Sequence, residues 1–209
     1  MTDVVVSPEP SRKALGAGYD TAVAFAELLV KHGEERGLIG PREVPRVWTR
    51  HIVNSAAIAP FVGDAKSIVD VGSGAGLPGV VLAGMFPAVQ VYLVEPMERR
   101  VAWLAFAFQA LGLANVTVHH GQAQEFHKQL SADIVTARAV AALDKLLSWT
   151  WPLVARGGAL LAMKGARAQE ELDAASGVLG RLATTAAVVH DVDVLDDGDI
   201  TRVVEIRRA

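Results

Sequence analysis

Apolar residues in this chain change rhythm near residue 65. Before that point they recur three and four apart. Val23, Phe25, Ala26, Leu29 and Val30 define a helix over Tyr19–Arg36, stopped by Gly37 and Gly40-Pro41. Trp48, Ile52, Val53 and Ala56 form the apolar stripe of a second helix over Pro45–Ala59. Beyond it, short β-branched runs alternate with helical ones. Strands are predicted at Ser67–Val71, Val89–Val94, Val116–His119, Ile134–Ala137 and Ala159–Met163. Helices are predicted after Pro78 and over Glu98–Gly112, Ala142–Ala155 and Gln169–Leu182. Two last strands, Thr185–Leu195 and Thr201–Arg207, flank Asp196-Asp197-Gly198-Asp199, whose acidic Gly-containing turn predicts a hairpin. Strand–helix alternation implies a parallel sheet with right-handed crossovers, and the hairpin inserts one antiparallel strand. The expected fold class is therefore α/β, a seven-stranded, mostly parallel sheet with a terminal antiparallel hairpin and N-terminal helices. Residues 1–18 are expected to be a flexible N-terminus, because Ser7, Pro8 and Pro10 cluster with little periodicity. A helical extension over 19–62 and a sheet domain over 63–209 complete the expected organisation.

Composition narrows the chemistry. The 209 residues are 51% hydrophobic and 21% charged, enough apolar material for one domain core. The absence of cysteine excludes disulfides, thiolate metal sites and cysteine nucleophiles. The start MTDVVVSPEPSRKA lacks a basic segment followed by an apolar core, so it does not read as a secretory signal. No apolar run approaches the ~20 residues that span a bilayer. The six histidines show no metal-ligand spacing. A net charge of −3 argues against a protein coated in positive charge, yet a local basic face can still bind phosphates.

The candidate chemistry lies in SIVDVGSGAGLPGVVLA, Ser67 to Ala83. A strand, a glycine turn and a helix start are the parts of a nucleotide-type cofactor site. Glu95 ends the second strand, where a carboxylate can accept both hydroxyls of a ribose. No Gly-Lys-Ser or Gly-Lys-Thr follows the loop, which excludes a Walker phosphate cradle. The loop reads G-S-G-A-G, whereas a pyrophosphate fingerprint needs G-x-G-x-x-G, and no length remains for a dehydrogenase substrate domain. The terminal hairpin and Asp70 instead suit S-adenosylmethionine, whose ammonium a nearby carboxylate can help hold. The loop residues Asp70, Gly72, Ser73, Gly74 and Gly76 are thus expected at the cofactor. A nicotinamide oxidoreductase is the outside alternative.

DVGSGAGLPG (Asp70–Gly79), EPMERRVAWL (Glu95–Leu104), TARA (Thr136–Ala139), MKG (Met163–Gly165) and RHIVNS (Arg50–Ser55) together resemble one family, over about residues 20 to 209. It is the bacterial small-subunit ribosomal RNA methyltransferase G, or glucose-inhibited division protein B, family. The resemblance implies a Rossmann-like class I methyltransferase fold. It also implies methylation of guanine N7 in the decoding-region loop of 16S rRNA, with S-adenosylmethionine as donor. Gly72 and Leu77 match loop positions of the family, Ala123 and Gln124 match positions flanking the adenine, and Arg138 matches an arginine near cofactor and target base. The chain departs from the pattern at Ser73, Ala75 and Glu95, where relatives often carry threonine, proline and aspartate. GLIGPREVPR (Gly37–Arg46) replaces the usual Asn-Leu-Thr stretch.

Guanine N7 carries an in-plane lone pair and no proton, so its methylation needs alignment rather than a general base. Arg138 is therefore expected to position, not to abstract a proton. Arg46, Arg50, His51, Lys164 and Arg167 are the expected RNA contacts, forming a phosphate track. Trp48, Trp103, Trp149 and Trp151 lie among aliphatics and read as packing residues. The expected partner is 16S rRNA or the small ribosomal subunit, met in the cytoplasm by a monomer with no membrane and no metal. Methylation of another substrate, or a ribosome-associated cofactor-binding module, is the alternative.

Overall fold

The computed structural model describes residues 8–209. In chain order its helices are α1 (Pro8–Leu15), α2 (Tyr19–His32), α3 (Gly79–Met85), α4 (Glu98–Ala110), α5 (Leu143–Thr150), α6 (Ala168–Ala174) and α7 (Ser176–Leu179). Its strands are β1 (Ser67–Val71), β2 (Gln90–Glu95), β3 (Val116–His120), β4 (Ala132–Arg138), β5 (Val154–Lys164), β6 (Thr184–Asp193) and β7 (Ile200–Arg208). The seven strands form one sheet in the order β3-β2-β1-β4-β5-β7-β6. All neighbours are parallel except β7, which runs antiparallel to both β5 and β6.

Side-chain alternation along the strands divides the interior into two cores. Ile68, Leu93, Ile134 and Leu161 point to one face, and Val69, Val94, Val135 and Leu160 to the other. Both faces are apolar because helices cover both, as parallel sheets require. The first face lies under α2, α3 and α4, with Phe25, Leu29, Ile58 and Trp103 fully buried there. The second lies under α5 and α6, with Leu146, Leu147, Trp151 and Leu172. The segment expected as a helical extension thus contributes Phe25, Leu29, Trp48 and Ile58 to the same core as the sheet.

Four expectations are corrected. The flexible lead expected over 1–18 is helical from Pro8; residues 1–7 lie outside the described residues. Tertiary contact orders it: Leu15 is fully buried, and Trp48 Nε1 donates to Ser11 Oγ at 3.1 Å. The helix expected over Pro45–Ala59 is three short turns of different pitch, Val44–Arg46, Val47–Val53 and Ala56–Phe61. Ser55 Oγ donates to the His51 carbonyl at 2.7 Å, a back-bond that bends helices, and Pro60 lacks an N–H. The helix expected to reach Ala155 ends at Thr150, and Pro152 sits in the tight turn Trp151–Leu153 that follows. The helix expected over Gln169–Leu182 is broken at Ala175 into α6 and α7.

The chain leaves β1 toward β2 on one side and returns to β4 on the other. Open α/β sheets bind ligands at such a reversal, outside the strands' C-terminal ends. Gly72 follows β1 and Ala139 follows β4 at that crevice.

Candidate active site

Positive φ explains why glycines alternate after β1. Gly72, Gly74 and Gly76 have φ of +70°, +56° and +103°, in or near the left-handed region that penalises a Cβ. The turn they make is bound from several sides. Gly72 and Ser73 N–H both donate to the Val94 carbonyl, at 2.8 and 3.2 Å. Ser73 Oγ donates to the Asp70 carbonyl at 2.9 Å, and Trp103 Nε1 to the Ala75 carbonyl at 2.9 Å.

Two buried carboxylates complete the frame. Glu95 Oε2 accepts from Gly74 N–H at 2.8 Å, and Oε1 from Met97 N–H at 2.9 Å. Asp70 Oδ2 accepts from Gly79 N–H at 3.0 Å, at the start of α3. Its Oδ1 finds no hydrogen-bond partner among the described residues. Burial pushes the Asp70 carboxyl up to about 6, against the Gly79 bond and the Arg138 charge, which favour ionisation.

Three cavities that share lining residues lie at this end of the sheet. One of about 470 Å³ is lined by Gly72, Ser73, Gly74, Leu77, Glu95, Met97 and Arg138. A small slot of about 220 Å³ beside it is lined by Gly72, Val140, Trp149, Ala123 and Gln124. A larger cavity of about 890 Å³ holds Arg50, His51, Arg138, Lys164 and Arg167. Arg138, at the end of β4, lines both the loop cavity and the large one. Burial draws its pKa below the ordinary guanidinium value, and Asp70 opposes that. His51 lines the same two cavities, and its Nε2 lies 3.0 Å from Glu43 Oε2. Burial, then the Arg138 charge, lowers its pKa, so the ring favours the neutral form.

The family model described as rRNA small subunit methyltransferase G matches residues 19–193. A protein of Beutenbergia cavernae named ribosomal RNA small subunit methyltransferase G is 63% identical over 204 residues, covering 98% of this chain and 96% of that protein. One of the same name from Thermobifida fusca is 49% identical over 181 residues, covering 87% and 76%. The chain belongs to the rRNA small subunit methyltransferase G family.

Solved structures share its fold. A SAM-dependent O-methyltransferase from Thermotoga maritima superposes with TM-score 0.55 at 16% identity, covering 75% of this chain and 64% of that one. A precorrin-6y C5,15-methyltransferase from Geobacter metallireducens gives 0.53 at 14% identity, covering 82% and 91%.

Against this family frame, the structure gathers Gly72, Ser73, Gly74, Leu77, Glu95 and Arg138 at one cavity, with Ala123 and Gln124 at the adjoining slot. Asp70 and Gly76 lie behind the loop instead. Asp70 is fully buried, and a Cβ on Gly76 would meet Val80, Phe25 and Leu104. Of the basic residues, Arg50, His51, Lys164 and Arg167 share the large cavity, whereas Arg46 is exposed away from it. Arg50 pairs with Glu43 at 3.3 Å, and Lys164 is tied to Glu171 at 2.7 Å with its side chain 9% exposed. Sequence reasoning missed Val140, Met97 and Trp149 as cavity residues. Trp149 had a signal. The stripe Leu143, Leu146, Leu147 and Thr150 faces the core, and Trp149 stands off it.

Proposed function

We propose that this chain transfers a methyl group from S-adenosylmethionine to N7 of a guanine in 16S rRNA, in the cytoplasm. The observation that carries the reading is Arg138, which lines both the glycine-loop cavity and the larger basic cavity. Donor and acceptor then meet at one side chain.

The residues present fit the donor. Gly74 lines the loop cavity, and a Cβ there would meet nothing closer than the Gly72 carbonyl at 3.7 Å and Arg100 at 3.9 Å, ordinary contacts without overlap. The Glu95 carboxylate stands at the edge of that space for a ribose, and the slot between Val140 and Trp149 offers apolar walls to a flat base. When bound, S-adenosylmethionine supplies an electrophilic methyl group on a sulfonium.

The chain's own work is alignment. Guanine N7 presents a lone pair and no proton, so the site needs neither a general base nor a metal. The guanine enters the large cavity from a single-stranded loop, whose bases can be splayed out and stacked. Arg138 donates to the guanine edge or to the cofactor carboxylate and fixes the angle of approach. Arg50, His51 and Arg167 face the same cavity and receive neighbouring phosphates or base edges. Orientation of this kind supplies on the order of 7–11 kcal/mol in favourable cases.

Incubation with methyl-labelled S-adenosylmethionine and small subunits lacking the modification tests the reading. Label at a guanine N7 of 16S rRNA is expected; label elsewhere, or none, refutes it. Arg138→Ala is expected to lower turnover about 100-fold while leaving the thermal midpoint nearly unchanged. Wild-type turnover in that variant removes Arg138 from the site.

A further inference from the structure

Lys164 closes β5 and belongs among the basic residues expected on RNA, yet its ammonium is turned into the protein. Nζ lies 2.5 Å from the Ala141 carbonyl and 2.7 Å from Glu171 Oε2. Its side chain is 9% exposed. The same Glu171 oxygen accepts from Leu143 N–H at 3.0 Å, an otherwise unpaired donor in the first turn of α5. One carboxylate oxygen therefore gathers the end of β5, the start of α5 and, through Lys164, the backbone that leads from β4 into α5.

That backbone is the wall of the site. Val140 lines all three cavities. Its Cγ2 packs so close to the glycine loop that a Cβ on Gly72 would stand 2.9 Å from it. Ala139, beside it, has φ of +55°, a conformation a non-glycine residue holds only when its surroundings impose it.

We infer that Lys164 and Glu171 are positioning residues: their ion pair clamps the Arg138–Leu143 segment and so sets the shape of the cofactor cavity. Lys164 is then not a phosphate contact. Two of its three donors are spent on protein acceptors. Charge-assisted bonds in a protected place are strong, and removing Glu171 leaves the Lys164 ammonium, 9% exposed, with the Ala141 carbonyl as its acceptor and no opposite charge. The exposed Arg167 remains free to meet phosphate at the same cavity. This inference rests on the reading that the Gly72–Leu77 loop holds S-adenosylmethionine.

The test uses the full chain, with S-adenosylhomocysteine titrated calorimetrically into wild type, Lys164→Met, Glu171→Gln, the double variant and Lys164→Arg. Both single variants are expected to bind about ten-fold more weakly, the double no worse than the weaker single, because one clamp is broken in each case. Lys164→Arg is expected to recover part of the loss. Amide exchange at Leu143 should quicken in both singles. Binding of a 16S rRNA fragment should keep its salt dependence in Lys164→Met. A salt slope reduced by about one, with cofactor affinity unchanged, makes Lys164 a phosphate contact and overturns the inference. Additive losses in the double variant overturn it also. Should Lys164→Met fail to fold, the near-isosteric Glu171→Gln decides by the same readouts. Wild type that binds no S-adenosylhomocysteine defeats the cofactor reading itself, and the inference with it.

Discussion

Gly74 in the loop and Asp70 in β1 just before it have opposite relations to the cavity. Gly74 faces the cavity at φ of +56°. Gly74→Val places a branched Cβ in the loop cavity proposed for the cofactor and in a strained conformation costing about 1–3 kcal/mol. The nearest atoms to that Cβ are 3.7 Å away, so the variant folds. Its affinity for S-adenosylhomocysteine, read by calorimetry, should fall at least about ten-fold. Asp70 faces the interior, and its pH behaviour follows from burial. Its folded pKa is raised from 3.8 to about 6. A carboxyl with a raised folded pKa contributes stability fully below its unfolded value, and that contribution is lost as pH rises through about 6. Asp70→Asn can still accept from Gly79 N–H but carries no charge. Its melting temperature relative to wild type should therefore climb between about pH 4 and pH 8, by up to roughly 3 kcal/mol of stability. Parallel profiles would show that the folded pKa of Asp70 is not raised above its unfolded value.

At the scale of elements, one carboxylate at the end of β2 joins three of them. Glu95 accepts from Gly74 in the β1 loop and from Met97 at the start of α4. A residue expected only to receive a ribose therefore also holds the turn that receives it. Glu95→Gln presents an amide N–H to one of those two donors, an arrangement that costs about 1–3 kcal/mol. Cofactor affinity should fall about ten-fold, and the melting temperature should drop as well; a fall in affinity alone would mean that the backbone bonds are dispensable. The strand and helix types were legible in the rhythm of the chain, β1 over Ser67–Val71 to the residue. Helix ends were not. They were set by a hydroxyl back-bond at Ser55 and by Pro152, whose effects depend on what each neighbour packs against.

Across the whole molecule, the helices before β1 build the site from behind. Phe25 of α2 is fully buried, and its Cζ lies 3.0 Å from where a Cβ on Gly76 would stand. Phe25→Ala should cost about 3–5 kcal/mol, roughly 10 °C in melting temperature for a chain of this size. Cofactor affinity should fall with it, because the loop loses its support. Unchanged affinity in the folded variant would show the loop to be self-supporting. By itself the sequence determined the α/β class, the hairpin and the glycine turn with its second-strand carboxylate, because these rest on local periodicity and on residues close in the chain; Arg138 was singled out only through the family resemblance. Only the tertiary structure decided which side chains face the ligand space. Asp70 and Gly76 turned inward, Trp149 and Val140 turned to the cavities, and Lys164 was drawn to Glu171. The physical reason is that direction depends on packing partners distant in sequence. The glycine turn that marked the site is held in shape by Glu95, Trp103 and Val94, none of them within it.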